Sequence, residues 1–384
     1  MNEEGENEWI RMEGTSSDLP SIIACIPELV YEVLNILPAR VLYTCTQVNR
    51  LWYHVATSVL RKRVSCNTIF VQDRIIEHSD AREYCESLYS KPSVVFLFTY
   101  DDIWLTRRDK PRRRGLERQL VKSVRHLYDE LPDECQLLGC TTEKLIYNLP
   151  ESFPTGPVHK KRGHVAISFP EVSGVKYHTV HVRHLRHHSR DWSRLFRFTV
   201  NHPVKLAIIL ALPHSRDMIA HIASGVRETF GEGVTILGGV GHDRLFMDGT
   251  VRRTRALVLL ISGSAFGVRA GFLNQPIALA EARTDFYEPA RTMIRELEQE
   301  NFRPSVALVF TSRFVHRGNS YFSSAHGIFR DNFPAILSGG FYSYGEFCMR
   351  DGEPGRTVQS CKEFMKYNSS VFCVCGYDKT AVAS

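Results

Sequence analysis

No stretch of about 18 consecutive apolar residues occurs, so no segment reads as a membrane-spanning helix. Cys-x-x-Cys is absent, and the ten cysteines are scattered without a close-set framework. That usage predicts reduced, intracellular thiols. Cys373 and Cys375 share one face of an apparent strand and are expected to be buried. The motifs of several chemistries are also missing. Gly231-Glu232-Gly233 precedes its strand, where a turn is expected, and no Gly-x-Gly-x-x-Gly loop follows one. There is no Gly-x-x-x-x-Gly-Lys-Ser/Thr loop and no His-Glu-x-x-His. A nucleophile elbow is absent too, since Ser343 has Gly345 after it but Phe341 where the first glycine belongs. The expectation is a non-catalytic chain with no cofactor and no metal. The first ten residues carry Glu3, Glu4, Glu6 and Glu8, the opposite of a secretory or mitochondrial leader.

Neither sign of charge dominates, with 48 Lys and Arg against 42 Asp and Glu. The net charge of +6 over 384 residues is modest and comes from local runs. It argues for basic patches and against a surface shaped wholly for nucleic acid. The main run is Arg107, Arg108, Lys110, Arg112, Arg113 and Arg114. It suits a nuclear import receptor, a phosphate backbone or plain solvation of a loop. Only Tyr100 and Trp104 stand nearby to stack on bases, which disfavours nucleic acid. His178, His181, His184 and His187 recur every three residues, with His188 beside the last. Arg183 and Arg186 between them and Arg190 just beyond would repel a cation, so a basic solvated loop is favoured over zinc.

The chain has 43% apolar residues, ample for folded cores and for two or three domains. Residues 1–20 read as a flexible acidic tail. From Ile26 to Trp52, Leu29, Val30, Val33, Leu34 and Leu37 recur at helical spacing. Leu37-Pro38 ends that helix, and a second is predicted through Leu42, Cys45, Val48, Trp52 and Val55. Helices in so short a segment bury little core and lean on a partner.

Beyond residue 66 a pattern repeats. Ser93–Phe98, Lys205–Leu210 and Val306–Phe310 are continuous apolar strands. Each is followed by a predicted helix, near 116–131, 216–230 and 320–333, and then by a strand ending at glycine. Apolar strands joined by a helix fit a βαβ unit. After the units come paired strands, His164–Phe169 with Gly174–Tyr177 and Ala256–Ile261 with Gly267–Ala270, each read as a turn-linked pair. Val371–Cys375 would be the third such strand, and a helix is expected at Met293, Ile294 and Leu297. The fold class is mixed α/β built by duplication. Loops at the carboxyl ends of such strands are where α/β folds place sites. Asp243, Arg244, Tyr342, Tyr344 and Glu346 are therefore the candidate substrate or ligand face.

Glu28-Leu29-Val30, Val33-Leu34, Leu37-Pro38 and Val48-Asn49-Arg50-Leu51-Trp52 together resemble an F-box. Pro27 lies one residue closer to Glu28 than that family has it. The remainder resembles the FIST domain pair, in Val306–Phe310, Phe333-Pro334, Gly340-Phe341 and Gly345-Glu346, and in Cys135–Gly139 and Phe169-Pro170 with Gly174–Lys176. The chain is thus similar to a family of F-box proteins that carry FIST-like domains. The resemblance implies an F-box at 21–66, an N-terminal FIST-like α/β domain at 67–200 and a C-terminal one at 201–384. It implies a substrate-recognition subunit of a cullin-RING ubiquitin ligase, in cytoplasm and nucleus. Its partners would be the Skp adaptor and a protein substrate. The adaptor-facing residues would be Leu29, Val30, Val33, Leu34, Leu37, Pro38, Leu42, Val48, Leu51 and Trp52. A small-molecule sensor built on the α/β region is the alternative.

Overall fold

Three helices open the described chain: α1 (Pro27–Asn35), α2 (Ala39–Cys45) and α3 (Arg50–Lys62). The structure is a computed structural model that describes residues 26–71, 75–100, 110–143, 145–147, 163–182, 192–196, 202–252, 254–274, 279–312, 329, 332–349 and 369–380. The acidic tail lies outside the described residues, as do Arg107, Arg108, His184, His187, His188 and most of the helix expected at 320–333. Pro27 occupies the first turn of α1, where its missing N–H leaves no bond unmade. The helix stops before Pro38, which then caps α2 at φ −60°. The second predicted helix is in fact two. Asn49 breaks it by leaving the helical region and accepting a bond from Trp52 N at 3.0 Å, which starts α3 afresh. Val30, Leu34, Leu42, Cys45, Ala56 and Val59 form the small core of this unit.

The rest is mixed α/β, in three mixed sheets. The first unit has β2 (Pro92–Tyr100) joined through α5 (Lys110–Glu130) to parallel β3 (Gln136–Thr142), with β5 (His164–Pro170) antiparallel beside β2. After the short helix α6 (Trp192–Leu195), the second has β7 (Val204–Ala211), α7 (Arg216–Phe230) and β8 (Thr235–Val240), with β11 (Ala256–Ser262) beside β7. The third has β13 (Phe302–Ser312) parallel to β14 (Leu337–Ser343), with β16 (Ser369–Asp378) beside β13. The registers are equivalent: Val94 pairs Gln136, Leu206 pairs Thr235 and Val306 pairs Leu337. Each first strand also carries its bulge at the same place, between Pro92 and Val94, opposite Val204 and Leu206, and between Pro304 and Val306.

The units exchange strands. β6 (Lys176–Val182), which follows β5, joins β11 of the second sheet, and β12 (Phe266–Asn274), which follows β11, joins β16 of the third. The turn-linked pairs expected from sequence are therefore strands that cross between sheets. At the start of the body, β1 (Asn67–Val71) pairs with β5 in the equivalent place. Short strands pass the other way. β4 (Leu145–Tyr147) pairs β14, β9 (Leu245–Met247) pairs β3 and extends to β10 (Thr250–Arg252), and β15 (Glu346–Met349) pairs β8. Because β9, β6 and β4 pair across residue 200, each of the three sheets holds strands from both sides of it.

Alternation along the strands explains their unbroken apolar runs. Val94, Phe96 and Phe98, with Leu206, Ile208 and Leu210 and with Val306, Leu308 and Phe310, meet in one shared core. The opposite faces pack under helices: Val95 and Leu97 under α4 (His78–Ser87) and α5, Ile209 under α7, and Val309 under α8 (Leu279–Gln299). A strand buried on both faces shows no period-two pattern. Glycine recurs at one equivalent position. A Cβ at Gly139, Gly238 or Gly340 would lie 1.8, 1.9 and 1.9 Å from the carbonyl oxygens of Leu97, Ile209 and Val309. The backbones approach too closely for any side chain there.

Candidate functional site

Two places carry the candidate residues. The first is the outer face of the helical unit. The apolar stripe read from sequence splits in the structure. Val30 and Leu34 turn inward to the small core, and Leu42 joins them from α2. Leu37, Leu51 and Trp52 pack partly against that core, and Pro38 is half-buried. Ile26, Leu29, Val33 and Ile36 turn outward, at 37, 43, 44 and 79% exposure. Their spacing of three, four and three residues makes a second seam along α1 and its two caps, about 100° round the helix from the first. Val41, Tyr43, Val48 and Tyr53 are exposed on α2, the turn and α3. Only Tyr89 and Val121 are exposed large apolar residues elsewhere among the described residues. Of the adaptor-facing set, then, Leu29, Val33 and Val48 present their side chains. Val30, Leu34 and Leu42 do not, because the helices consume them in packing on each other. Ile26, Ile36 and Tyr43 belong to the exposed face and were not in the set; the heptad spacing of 26, 29, 33 and 36 was the available signal.

The second place is where the three second strands end. By register, Glu143, His242 and Tyr344 are equivalent, each one or two residues past its strand. The structure brings them together. Tyr344 donates its phenol to Glu143 Oε1, and the Tyr344 ring stacks on His242 at 5.6 Å and 7°. Backbone bonds fix the loops: His242 N donates to Thr141 O at 2.7 Å, and Tyr344 N to Val240 O at 3.0 Å. Thr141 Oγ1 accepts from the backbone N–H of Asp243 and Arg244, and Ser343 Oγ accepts from Val240 N. Arg244 is ion-paired with Glu117 at 3.1 Å and with Asp243 at 2.9 Å.

Asp243, Arg244 and Tyr344 lie in or beside this cluster, and the five residues expected at a ligand face differ in access. Asp243, Arg244 and Glu143 are half-exposed. Glu346 and Tyr344 are buried, the first on β15 against β8. Tyr342 lies in the layer under α8, and burial pushes its phenol well above the usual range. Its carbonyl accepts from Thr142 Oγ1 at 3.1 Å. Alternation decides this, because Tyr342 and Ser343 face opposite sides of β14. Glu143 was missed, since the stretch after Thr142 has no glycine such as Gly241 and Gly345 in the other two loops.

Other sequence candidates fall elsewhere. Lys110, Arg112, Arg113 and Arg114 lie in the opening turns of α5, a helix and not a loop, with Pro111 favouring that start. His178 and His181 lie on strand β6 and not in a loop. They are three apart, so their rings face opposite sides. Burial lowers the His178 pKa. Cys373 and Cys375 sit in the shared core with sulfurs 3.8 Å apart.

No curated protein matches the chain. Among solved structures, a cyanuric acid hydrolase from A. caulinodans is similar at TM-score 0.33 and 10% identity, over 82% of this chain and 99% of that one. The FIST N domain family model matches residues 116–280, from α5 through all of the second unit to the start of α8. A FIST N domain is thus found in this chain, and it runs across residue 200.

Proposed function

We propose that this chain is the non-catalytic substrate-recognition subunit of a cullin-RING ubiquitin ligase. Helices α1 to α3 act as the F-box, and the α/β body, with its FIST-like N- and C-terminal parts, binds the protein to be ubiquitinated and degraded. One observation carries the reading: of ten exposed large apolar residues among the described ones, eight lie between Ile26 and Tyr53. Water-exposed Leu, Val, Ile and Tyr side chains gathered on so few residues mark a surface made to be covered. The F-box resemblance names the cover as a Skp adaptor. Such a receptor performs no bond chemistry. It holds substrate near ubiquitin-charged enzyme and raises the local concentration of the reacting groups. Calorimetry with purified Skp adaptor tests this. Wild type binds one to one, and Leu29→Asp with Val33→Asp binds about thirtyfold more weakly or worse, the scale of losing interface anchors. A wild-type chain that ignores the adaptor overturns the reading. The basic run beginning at Arg107 would add a nuclear pool to a cytoplasmic one, which a fluorescent fusion with the run changed to alanine tests.

A second reading is a small-molecule sensor. The convergence of Glu143, His242 and Tyr344 from three equivalent strand ends favours it. It predicts ligand-dependent thermal stabilisation without adaptor, lost in Glu143→Gln. Stabilisation that survives Glu143→Gln points away from this site.

A further inference from the structure

The helical unit meets the body through a buried cation. Arg63 follows α3 directly and is 4% exposed. Its guanidinium donates to four carbonyl oxygens. Those of Leu34 and Asn35, at 3.0 and 2.6 Å, belong to the last turn of α1, and that of Leu37 to the turn after it. The fourth is Tyr89 O at 3.3 Å, in the segment between α4 and β2 of the body. The guanidinium also stacks on the Tyr89 ring at 4.0 Å. Last-turn carbonyls lack partners within their own helix, so a cation satisfies them well. Only a planar five-donor fork serves several acceptors while lying flat on a ring; a lysine ammonium does not.

Other contacts cross the same junction. Ala39 N donates to Leu88 O at 2.9 Å, Ser65 N to Ser90 Oγ at 3.1 Å, and Arg40 pairs with Glu130 at 3.1 Å. Arg63 differs from these in its reach, because it holds the end of α1 and the body segment with one rigid group. Burying a guanidinium whose acceptors are all neutral carbonyls is costly for stability alone. Holding two units at one angle is what this arrangement achieves.

We propose that Arg63 is a positioning residue that fixes the orientation of α1–α3 against the α/β body. Resting on the ligase reading, it thereby sets the direction in which a bound substrate faces the ubiquitin donor. Arg63→Lys keeps the charge and loses the fork; Tyr89→Leu keeps the carbonyl and loses the ring. The test is a distance distribution between spin labels introduced at exposed Thr44 and Glu228, in the full chain. Wild type gives one narrow distribution, Arg63→Lys a broad or shifted one, and Tyr89→Leu an intermediate one. Distributions superimposable on wild type in both variants overturn the proposal. Ubiquitination reconstituted with the adaptor and cullin-RING core supplies the functional arm. The lysines of the chain itself serve as acceptors and are mapped by mass spectrometry. Arg63→Lys is expected to leave adaptor affinity unchanged while transfer falls on the order of tenfold or moves to other lysines, since small misplacements cost rate steeply. Unchanged sites and rates alongside altered distances overturn the functional half. A wild-type chain that binds no adaptor removes the ligase reading, and the distance arm still decides whether Arg63 holds the junction.

Discussion

The three-sheet body and the helical unit handle the same kind of residue in opposite ways. In the body, Val94 to Phe98 are wholly buried, because one face meets the shared core and the other meets helices. In α1, alternate sides of an equally apolar helix part company: Val30 and Leu34 are at 1 and 0% exposure, and Leu29 and Val33 are at 43 and 44%. The body closes on itself because three units supply covers for one another through exchanged strands. Helices of nine, seven and thirteen residues supply one small core and no more. Apolar content therefore says little about where a surface stays open; the number of layers available to cover it decides.

The harshest break of this comparison falls in the body. Gly238→Ala and Gly340→Ala each put a methyl group within 1.9 Å of a neighbouring backbone oxygen. Neither strand can retreat, since both are hydrogen-bonded in mid-sheet. Each variant is expected to lose more than about 4 kcal/mol or to be insoluble, measured by urea unfolding. A variant with wild-type stability would show that the sheets yield, and that the shared core is not the rigid part.

Within α1 the comparison can be made between adjacent residues. Leu34→Ala is expected to cost about 2–5 kcal/mol, because it empties the centre of a small core. Val33→Ala is expected to stay within about 0.5 kcal/mol in the free chain. On the proposed ligase reading the order would reverse for adaptor binding, where Val33 would contribute directly. Equal destabilisation by the two would mean that the outward seam is already covered in the free chain.

Next in size is Tyr344→Phe. It removes the bond to Glu143 while keeping the stack on His242. The half-exposed Glu143 can turn to water, so the expected cost is about 1 kcal/mol in thermal unfolding. A larger loss would mark the strand-end cluster as a weld between units rather than an accessible site.

How much of this was legible follows from which interactions set each element. The βαβ units were readable from their apolar runs, and the helix at 216–230 was placed to the residue. Gly139, Gly238 and Gly340 also stood in the sequence as the ends of strands; their role as points of backbone contact did not, because it depends on a neighbour in space. The exchange of β4, β9 and β15 was illegible. A strand of three or four residues has no periodicity to read, and tertiary approach alone pairs it. The same holds for β6 and β12, whose turn-like approach from β5 and β11 looks like a hairpin from within the chain. The inward half of the α1 stripe, expected to face a partner, is instead buried in the unit's own small core for a related reason. Spacing identifies an apolar face but not what covers it. Arg63 read as part of a basic helix end, and only its burial beneath the end of α1 reveals the junction.

The smallest effect concerns that junction and depends on pH. Glu130 at the end of α5 faces Arg40 of the helical unit and Arg82 of α4, at 3.1 and 3.5 Å, with His78 Nδ1 at 3.9 Å. Burial alone would raise its pKa, but the two guanidinium groups outweigh burial and hold the carboxyl below its usual value. A depressed folded pKa means stabilisation that is fully present above the unfolded carboxylate value, about 4.3, and lost as pH falls through the folded one. Arg40 and Arg82 are 46 and 60% exposed, so the whole contribution is expected to stay under about 1 kcal/mol. Thermal melts from pH 6 to 3 should show Glu130→Gln lower than wild type at pH 6 and converging on it near pH 3. Because both units are joined at this point, the convergence should appear in a probe on the helical unit, such as Trp52 fluorescence, as well as in the global melt. A difference between wild type and Glu130→Gln that persists at pH 3 would mean that Glu130 holds the junction through packing, and that its charge is incidental to coupling the two units.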